Sequence, residues 1–262
     1  MDKLLASLKE ICVNNSIPLV GVAPVERFEN APRGHHPRDF LSTARSVVVI
    51  GMPIMKGICD YFDMLKGSQF IPENIRKEYL QGYFYQRSGY ETINDHLSNV
   101  ALRMSFELEE NGFRTLYFYP SYGQLFKNIR NMLPELAGIF SMRHAAVRAG
   151  LGEFGLINLV LNPIYGPRVR YNALITEAEL PPSSLLNKKV CLGSSCKQCI
   201  KLCGTGAISA GNPSLNISIP DETKVWLDPV SRTEKNTCSS KRMEAFCFGK
   251  CLMVCMAGSG SK

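Results

Sequence analysis

The sequence predicts a layered α/β (α+β) fold that carries a small cysteine-rich module at its C-terminal end. Three observations predict it. Segments with helical and with strand periodicity alternate from the N-terminus to about residue 180. From about Pro181 the chain changes to short segments punctuated by cysteine, and eight of its ten cysteines lie after residue 190. Hydrophobic residues make up 45% of the 262 residues, ample for a buried core. The expected organisation is a main domain over residues 1–180 and a module over 181–262.

Taken in order, Leu4, Leu5, Leu8 and Ile11 recur at helical spacing and mark a first helix. "IPLVGVAPV" then reads as a strand that stops at Pro24, and "SVVVIGMPI" as a second strand apolar enough to be buried. The polar, proline-punctuated "ERFENAPRGHHPRDFLSTA" between them is a loop with at most a short helix, which leaves His35 and His36 exposed. Helical spacing returns from about Pro72 to Asn111, with Ile93, Leu97, Leu102 and Leu108 as core positions. "ENGFRTLYFYPS" closes that stretch with a glycine stop and opens a strand. A further helix is expected over "LPELAGIFSMRHAAVRAG", ended by Gly150, Gly152 and Gly155. "INLVLNP" and "RVRYNALIT" follow as strands around the turn "PIYG". No repeat with a period of twenty to fifty residues is visible.

No apolar run approaches the roughly 20 residues of a membrane span. The first residues form an amphipathic pattern and not a basic start followed by an uninterrupted apolar run. A cytoplasmic location without a membrane partner is expected. In that compartment thiols stay reduced, so a dense cysteine array points to metal and not to disulfides. Cys12 and Cys59 stand alone and are expected as small buried hydrophobes. The net charge of +7 is spread along the chain. A solvated surface accounts for it, as does attraction to a negatively charged cofactor or protein partner.

The first cysteine run reads C-x4-C-x2-C-x3-C and comprises Cys191, Cys196, Cys199 and Cys203. The second has Cys238 at a distance, then Cys247, Cys251 and Cys255 at C-x3-C-x3-C. Two sets of four thiolates match two [4Fe-4S] clusters, each of which needs four at the corners of a small cube. Where the last cysteine of each run ligates the other cluster, Cys191, Cys196 and Cys199 share one with Cys255, and Cys238, Cys247 and Cys251 share the other with Cys203. Run-by-run pairing is the alternative. Zinc held by four cysteines is a further one, although zinc ribbons usually pair C-x2-C knuckles at a long interval. Gly204 and Met256 stand where ferredoxin runs typically have proline.

"RHAAVRAGLGEFGLINLVLNPIYGPRVRYNALITEAEL", followed closely by the cysteine run and "GTGAI", resembles the corrinoid-dependent iron–sulfur reductases. These are the epoxyqueuosine reductases of tRNA modification and the respiratory reductive dehalogenases. "GHHPRDFLSTARSVVVIGMPI" is similar to their N-terminal part. The resemblance implies a nitroreductase-like domain that binds cobalamin and a ferredoxin-like module whose two clusters feed it electrons from an external low-potential donor. It also implies that Gly150, Gly152 and Gly155 let backbone approach the corrin, with helix capping and strand turning as their other role. Asn162, Tyr165, Gly166, Arg168 and Arg170 match the segment that lines the cofactor cavity and supports the cluster module.

Some residues depart from the pattern. Epoxyqueuosine reductases place a proton-donating aspartate before the "AGLG" run, whereas "YFYPSYGQLFKNIR" contains no acid here. Their helical-repeat extension, which helps hold tRNA, has no counterpart after Cys255. tRNA is therefore not expected as a partner, and a small-molecule substrate is. Reductive dehalogenases use a tyrosine near the cobalt as acid, which singles out Tyr119 and Tyr122; core packing is their other role. The expected function is an iron–sulfur, cobalamin-binding oxidoreductase. A non-catalytic two-cluster electron-transfer or corrinoid-handling protein is the rival, and a flavin-binding domain a third possibility.

Overall fold

A computed structural model describes residues 1–61, 77–120, 139–209, 219–234, 237–238, 241, 247 and 249–258, with only the backbone of 77–79 and 81. Its strands are β1 (Leu19–Pro24), β2 (Ser46–Pro53), β3 (Thr115–Tyr117), β4 (Glu153–Phe154), β5 (Val160–Leu161), β6 (Val169–Thr176), β7 (Ile208–Ser209) and β8 (Arg232–Thr233). The chain packs into two compact units. One comprises Met1–Met52, Asn94–Leu151 and Arg170–Leu185, the other Pro53–Ile93, Gly152–Val169 and Leu186–Lys262. The cysteine-rich segment thus folds with two stretches from much earlier in the sequence.

The first unit is built on a four-stranded sheet in the order β1-β2-β6-β3. β1 pairs antiparallel with β2 from Leu19 opposite Gly51 to Pro24 opposite Ser46, and β3 pairs antiparallel with β6. The Arg45 amide donates to the Thr176 carbonyl and the Ile54 amide to that of Arg168, so β2 and β6 are antiparallel too. Ser46 to Gly51 are all buried, as their unbroken apolar run anticipates.

Two helices cover this sheet's core residues. Asp2–Asn14 buries Leu4, Leu8 and Cys12, a strict i, i+4, i+8 stripe that leaves Leu5 and Ile11 half-buried at its edges. The Cys12 thiol faces the Met104 sulfur at 3.9 Å, and burial pushes it up to about 11. In Thr92–Glu110 the buried stripe is Leu97, Ala101, Met104 and Leu108, with Ile93 at its start. Leu102 is 37% exposed and is not a core residue, because it lies on the face opposite that stripe. Gly112, at φ +87°, ends the helix as its sequence anticipates. The helix expected over residues 133–150 is described only as Met142–Arg148, where Ser141 accepts the His144 amide as N-cap; residues 121–138 lie outside the described residues. His35 and His36 are half-buried. The former's Nδ1 meets the Ile139 carbonyl and the latter caps the short helix Pro37–Phe40.

Glu177, just past β6, accepts from the Arg114 backbone amide and guanidinium and from the Thr43 hydroxyl. These bonds hold its carboxyl down at about 2, from an ordinary 4.5. A depressed carboxyl stabilises the fold above its ordinary range and loses that contribution as pH falls through its folded value. Between pH 4.5 and about 2 the urea midpoint should therefore fall less steeply in Glu177→Gln than in the native chain. The difference will be small, because Arg114 is 72% exposed.

The second unit contains the helix Lys77–Gln86, a π-turn over Arg87–Glu91 and two small antiparallel pairs, β4 with β5 and β7 with β8. Gly89 of the π-turn lies against Ile54 and Ile58, whose side chains a Cβ there would meet at 3.1 and 3.2 Å and push aside by a few tenths of an ångström. Cys59 is buried, and burial raises its thiol to about 11. The strand expected over "INLVLNP" is only Val160–Leu161, and its partner β4 occupies the glycine-rich stretch read as a helix stop. Two-residue strands have no periodicity to read. Among the described residues no helix is long and apolar enough to cross a membrane.

Candidate metal centres

All eight C-terminal cysteines fall in the second unit, and the fold sorts them into two groups that cross between the runs. Cys191, Cys196, Cys199 and Cys255 line one recess, walled by Leu156, Ile157, Leu161, Leu192 and Met256. Cys251 has Cys247, Cys203 and Cys238 as its neighbours. Each run therefore contributes its last cysteine to the other run's group.

Local backbone explains how so many thiols crowd together. Gly193 (φ +58°) opens a 3-10 turn that carries Cys196 at its end. Lys197 (φ +53°) then enters the one-turn helix Gln198–Lys201, which turns Cys199 inward. Gly249 (φ +78°) starts a matching turn, Lys250–Met253, with Cys251 in it. Left-handed residues between short helical turns are what bring cysteines three to five apart onto one side.

Amide N–H groups point at the sulfurs, from Leu156 and Gly193 to Cys191, from Ile200 to Cys199 and from Ala257 to Cys255. Burial raises Cys199 to about 12, with the charges of Cys255, Cys191 and Cys196 adding to it. Burial likewise raises Cys251 to about 12, ahead of its three cysteine neighbours. At Cys203 burial is outweighed by the Thr205 hydroxyl at 3.4 Å and by the amides of Ile208, Ala207 and Thr205, which hold the thiol below its ordinary value. Four thiols lining one recess repel one another when ionised, and cationic metal is what such a group is suited to receive. Sulfur donors with amide hydrogen bonds and apolar walls fit an iron–sulfur cluster. Among the described residues no group of three or more His, Cys, Asp or Glu is arranged to hold a single metal ion.

Neighbouring side chains brace the groups. The Arg168 guanidinium donates to the carbonyls of Leu252 (3.3 Å), Cys255 (3.1 Å) and Ala257 (2.6 Å). Asn162 accepts the amides of Ile164 and Tyr165 and so fixes the "NPIYG" turn, closed by an Asn162–Gly166 bridge. Gly166 (φ +59°) touches the last cysteine segment, and a Cβ there would sit 2.0 Å from the Ala257 carbonyl oxygen. Tyr165 is half-buried beside it.

The other expected cofactor residues have neighbours within the chain. A Cβ on Gly150 (φ +76°) would lie 2.0 Å from the Ser184 carbonyl oxygen. At Gly152 it would lie 2.5 Å from the Leu161 carbonyl oxygen, and at Gly155 2.6 Å from the Leu161 side chain. The chain itself thus gives each glycine its reason, and none of the three provides an observation for the corrin. Arg170 donates to Asn94 at 3.0 Å. Tyr119 is 46% exposed and donates its hydroxyl to Asp95, an acid on the helix Thr92–Glu110. Tyr122 lies outside the described residues.

No family model matches the chain. Over 90 residues it is 35% identical to the epoxyqueuosine reductase of Listeria monocytogenes serovar 1/2a (strain ATCC BAA-679 / EGD-e). A crystal structure of epoxyqueuosine reductase with an epoxyqueuosine-modified tRNA-Tyr stem loop matches 99% of this chain and 66% of its own, at TM-score 0.58 and 15% identity. The catabolic reductive dehalogenase NpRdhA matches 95% of this chain and 31% of its own, at TM-score 0.54 and 16% identity. Over those 90 residues the chain is similar to an epoxyqueuosine reductase, and its fold is similar to those of an epoxyqueuosine reductase and a reductive dehalogenase. It shares their mixed α/β fold. The sequence match covers 33% of this chain and 23% of the curated relative, so the chain spans much less than the relative's length. The first structural neighbour holds a tRNA stem loop, which stands against the expectation that tRNA is not a partner.

Three features escaped the sequence reading: Glu153, Thr205 and Asp95. Asp95 supplies an acid next to a candidate tyrosine from a distant helix, which a search of the local segment could not find.

Proposed function

We propose that the chain is a cytoplasmic iron–sulfur oxidoreductase. The eight C-terminal cysteines would hold two [4Fe-4S] clusters, which would supply one-electron transfer from an external low-potential donor, and a bound corrinoid would supply the reducing chemistry at the substrate. The observation that carries the reading is the crossing of the two cysteine runs into groups of four. A crossed arrangement ties both centres to one short stretch of chain, and electron transfer between clusters needs that proximity. Cys191, Cys196, Cys199 and Cys255 hold one cluster, and Cys203, Cys238, Cys247 and Cys251 the other. Arg168 fixes the carbonyls around Cys255, and the amides aimed at the sulfurs stabilise their charge.

The corrinoid rests on likeness of fold. A reductive dehalogenase structure that suggests a mechanism for B12-dependent dehalogenation matches 90% of this chain and 28% of its own at TM-score 0.50 and 16% identity. Tyr119, with its hydroxyl already bonded to Asp95, is the proton donor of this reading. A second reading, a non-catalytic two-cluster electron carrier or corrinoid-handling protein, is favoured by the lack of any acid from Tyr117 to Arg130.

Anaerobic reconstitution with iron and sulfide, followed by cobalamin, tests both. About eight irons per chain are expected, from two four-iron cubes. A changed cobalt electron paramagnetic resonance spectrum on adding cobalamin, with turnover of an epoxyqueuosine stem loop or a halogenated phenol, supports the enzyme. Eight irons with neither uptake nor turnover selects the carrier. Stoichiometric zinc without iron ends both readings.

A further inference from the structure

Glu153 of β4 is fully buried, and all four of its polar contacts are to donors. Oε1 accepts the amides of Val190 and Cys191, each at 2.6 Å. Oε2 accepts the Trp226 amide at 2.9 Å and the Lys189 ammonium at 3.2 Å. With only donors around it the group is a carboxylate anion, since a protonated acid would need an acceptor. Its side chain is 0% exposed, against 18% for Lys189. Lys189 is shared with the Trp226 ring, over whose centroid its nitrogen lies at 3.1 Å.

An anion buried this completely is costly unless every lone pair is used, and here it organises the entrance to the first cysteine run. One carboxylate oxygen bonds two successive amides, which fixes the backbone of Val190 and Cys191. The carboxylate also acts electrostatically on Cys191 itself, with Lys189 opposing it more weakly. Nothing in the proposed electron path uses this group.

We infer that Glu153 is a positioning residue that acts through Cys191, seating the first centre and holding it at low reduction potential. This rests on the reading that Cys191, Cys196, Cys199 and Cys255 bind an iron–sulfur cluster. Reduction adds one electron to the cluster, and a fixed buried negative charge beside it makes that addition less favourable. Removing the carboxylate charge raises the potential; removing the Lys189 charge lowers it. A merely structural brace has no such sign.

The experiment is an anaerobic redox titration of the reconstituted full chain, following both cluster signals by electron paramagnetic resonance, in native protein, Glu153→Gln and Lys189→Met. Iron content is measured first. Native protein that binds no iron overturns the functional reading and this inference with it. With two clusters present in native protein, the expected result is an upward shift of one midpoint in Glu153→Gln, a downward shift of the same midpoint in Lys189→Met, and no movement of the other. Unchanged midpoints, or shifts of one sign in both variants, overturn the inference and leave the functional reading standing. Should Glu153→Gln fail to fold, Lys189→Met decides: a downward shift supports the inference, and no shift or an upward one overturns it.

Discussion

Cys255→Ala is expected to lower the iron content of reconstituted protein from about eight to about four per chain, since one four-iron cube loses a corner. The larger test combines it with Cys196→Ala. Both residues line the same recess, so the double variant should still hold about four irons. Adding Cys203→Ala to Cys255→Ala should instead remove nearly all iron, because Cys203 keeps company with Cys238, Cys247 and Cys251. Run-by-run pairing predicts loss of nearly all iron in both double variants, so the iron and sulfide content of the Cys196→Ala/Cys255→Ala protein separates the arrangements.

Gly166→Ala should be strongly damaging beside the first centre. The added carbon would lie 2.0 Å from the Ala257 oxygen and 2.8 Å from its carbonyl carbon, both backbone, so no side chain can swing aside. The left-handed backbone at φ +59° adds about 1–2 kcal/mol of strain, and overpacking typically adds about 1–3 kcal/mol more. A total near 3 kcal/mol should appear as a lower urea midpoint. Ala257 also accepts from Arg168 and presents its amide to Cys255, so iron should be lost from the first centre alone. Gly34→Ala is the matched control, with φ +84° and nothing within 4 Å. It carries only the conformational strain, about 1 kcal/mol, and should retain all its iron. Equal effects in the two variants would mean that the Ala257 contact is unimportant.

Covalent spacing and hydrophobic period were legible in the sequence; closure in three dimensions was not. β2 announced itself because Val47 to Gly51 run unbroken, apolar and buried. Leu97 and Leu108 were readable because they lie eleven residues apart on one helical face, whereas Leu102 broke that stripe and was misassigned. The cysteines could be found because four ligands within thirteen residues have few other uses. Glu153 could not, since a buried acid is written with the same letter as the exposed acids around it and only its four distant donors distinguish it. The glycines were legible as special positions, but their partners Ser184, Leu161 and Ala257 were not. The same limit hid the second unit, whose three segments are separated by long stretches of chain and carry no shared pattern.

Trp226 is the only tryptophan in the chain, is 4% exposed, and sits with its ring beneath the Lys189 ammonium. All indole emission from the protein therefore originates at one point in the second unit. Fluorescence excited at the red edge, away from the tyrosines, is a label-free optical gauge of that point.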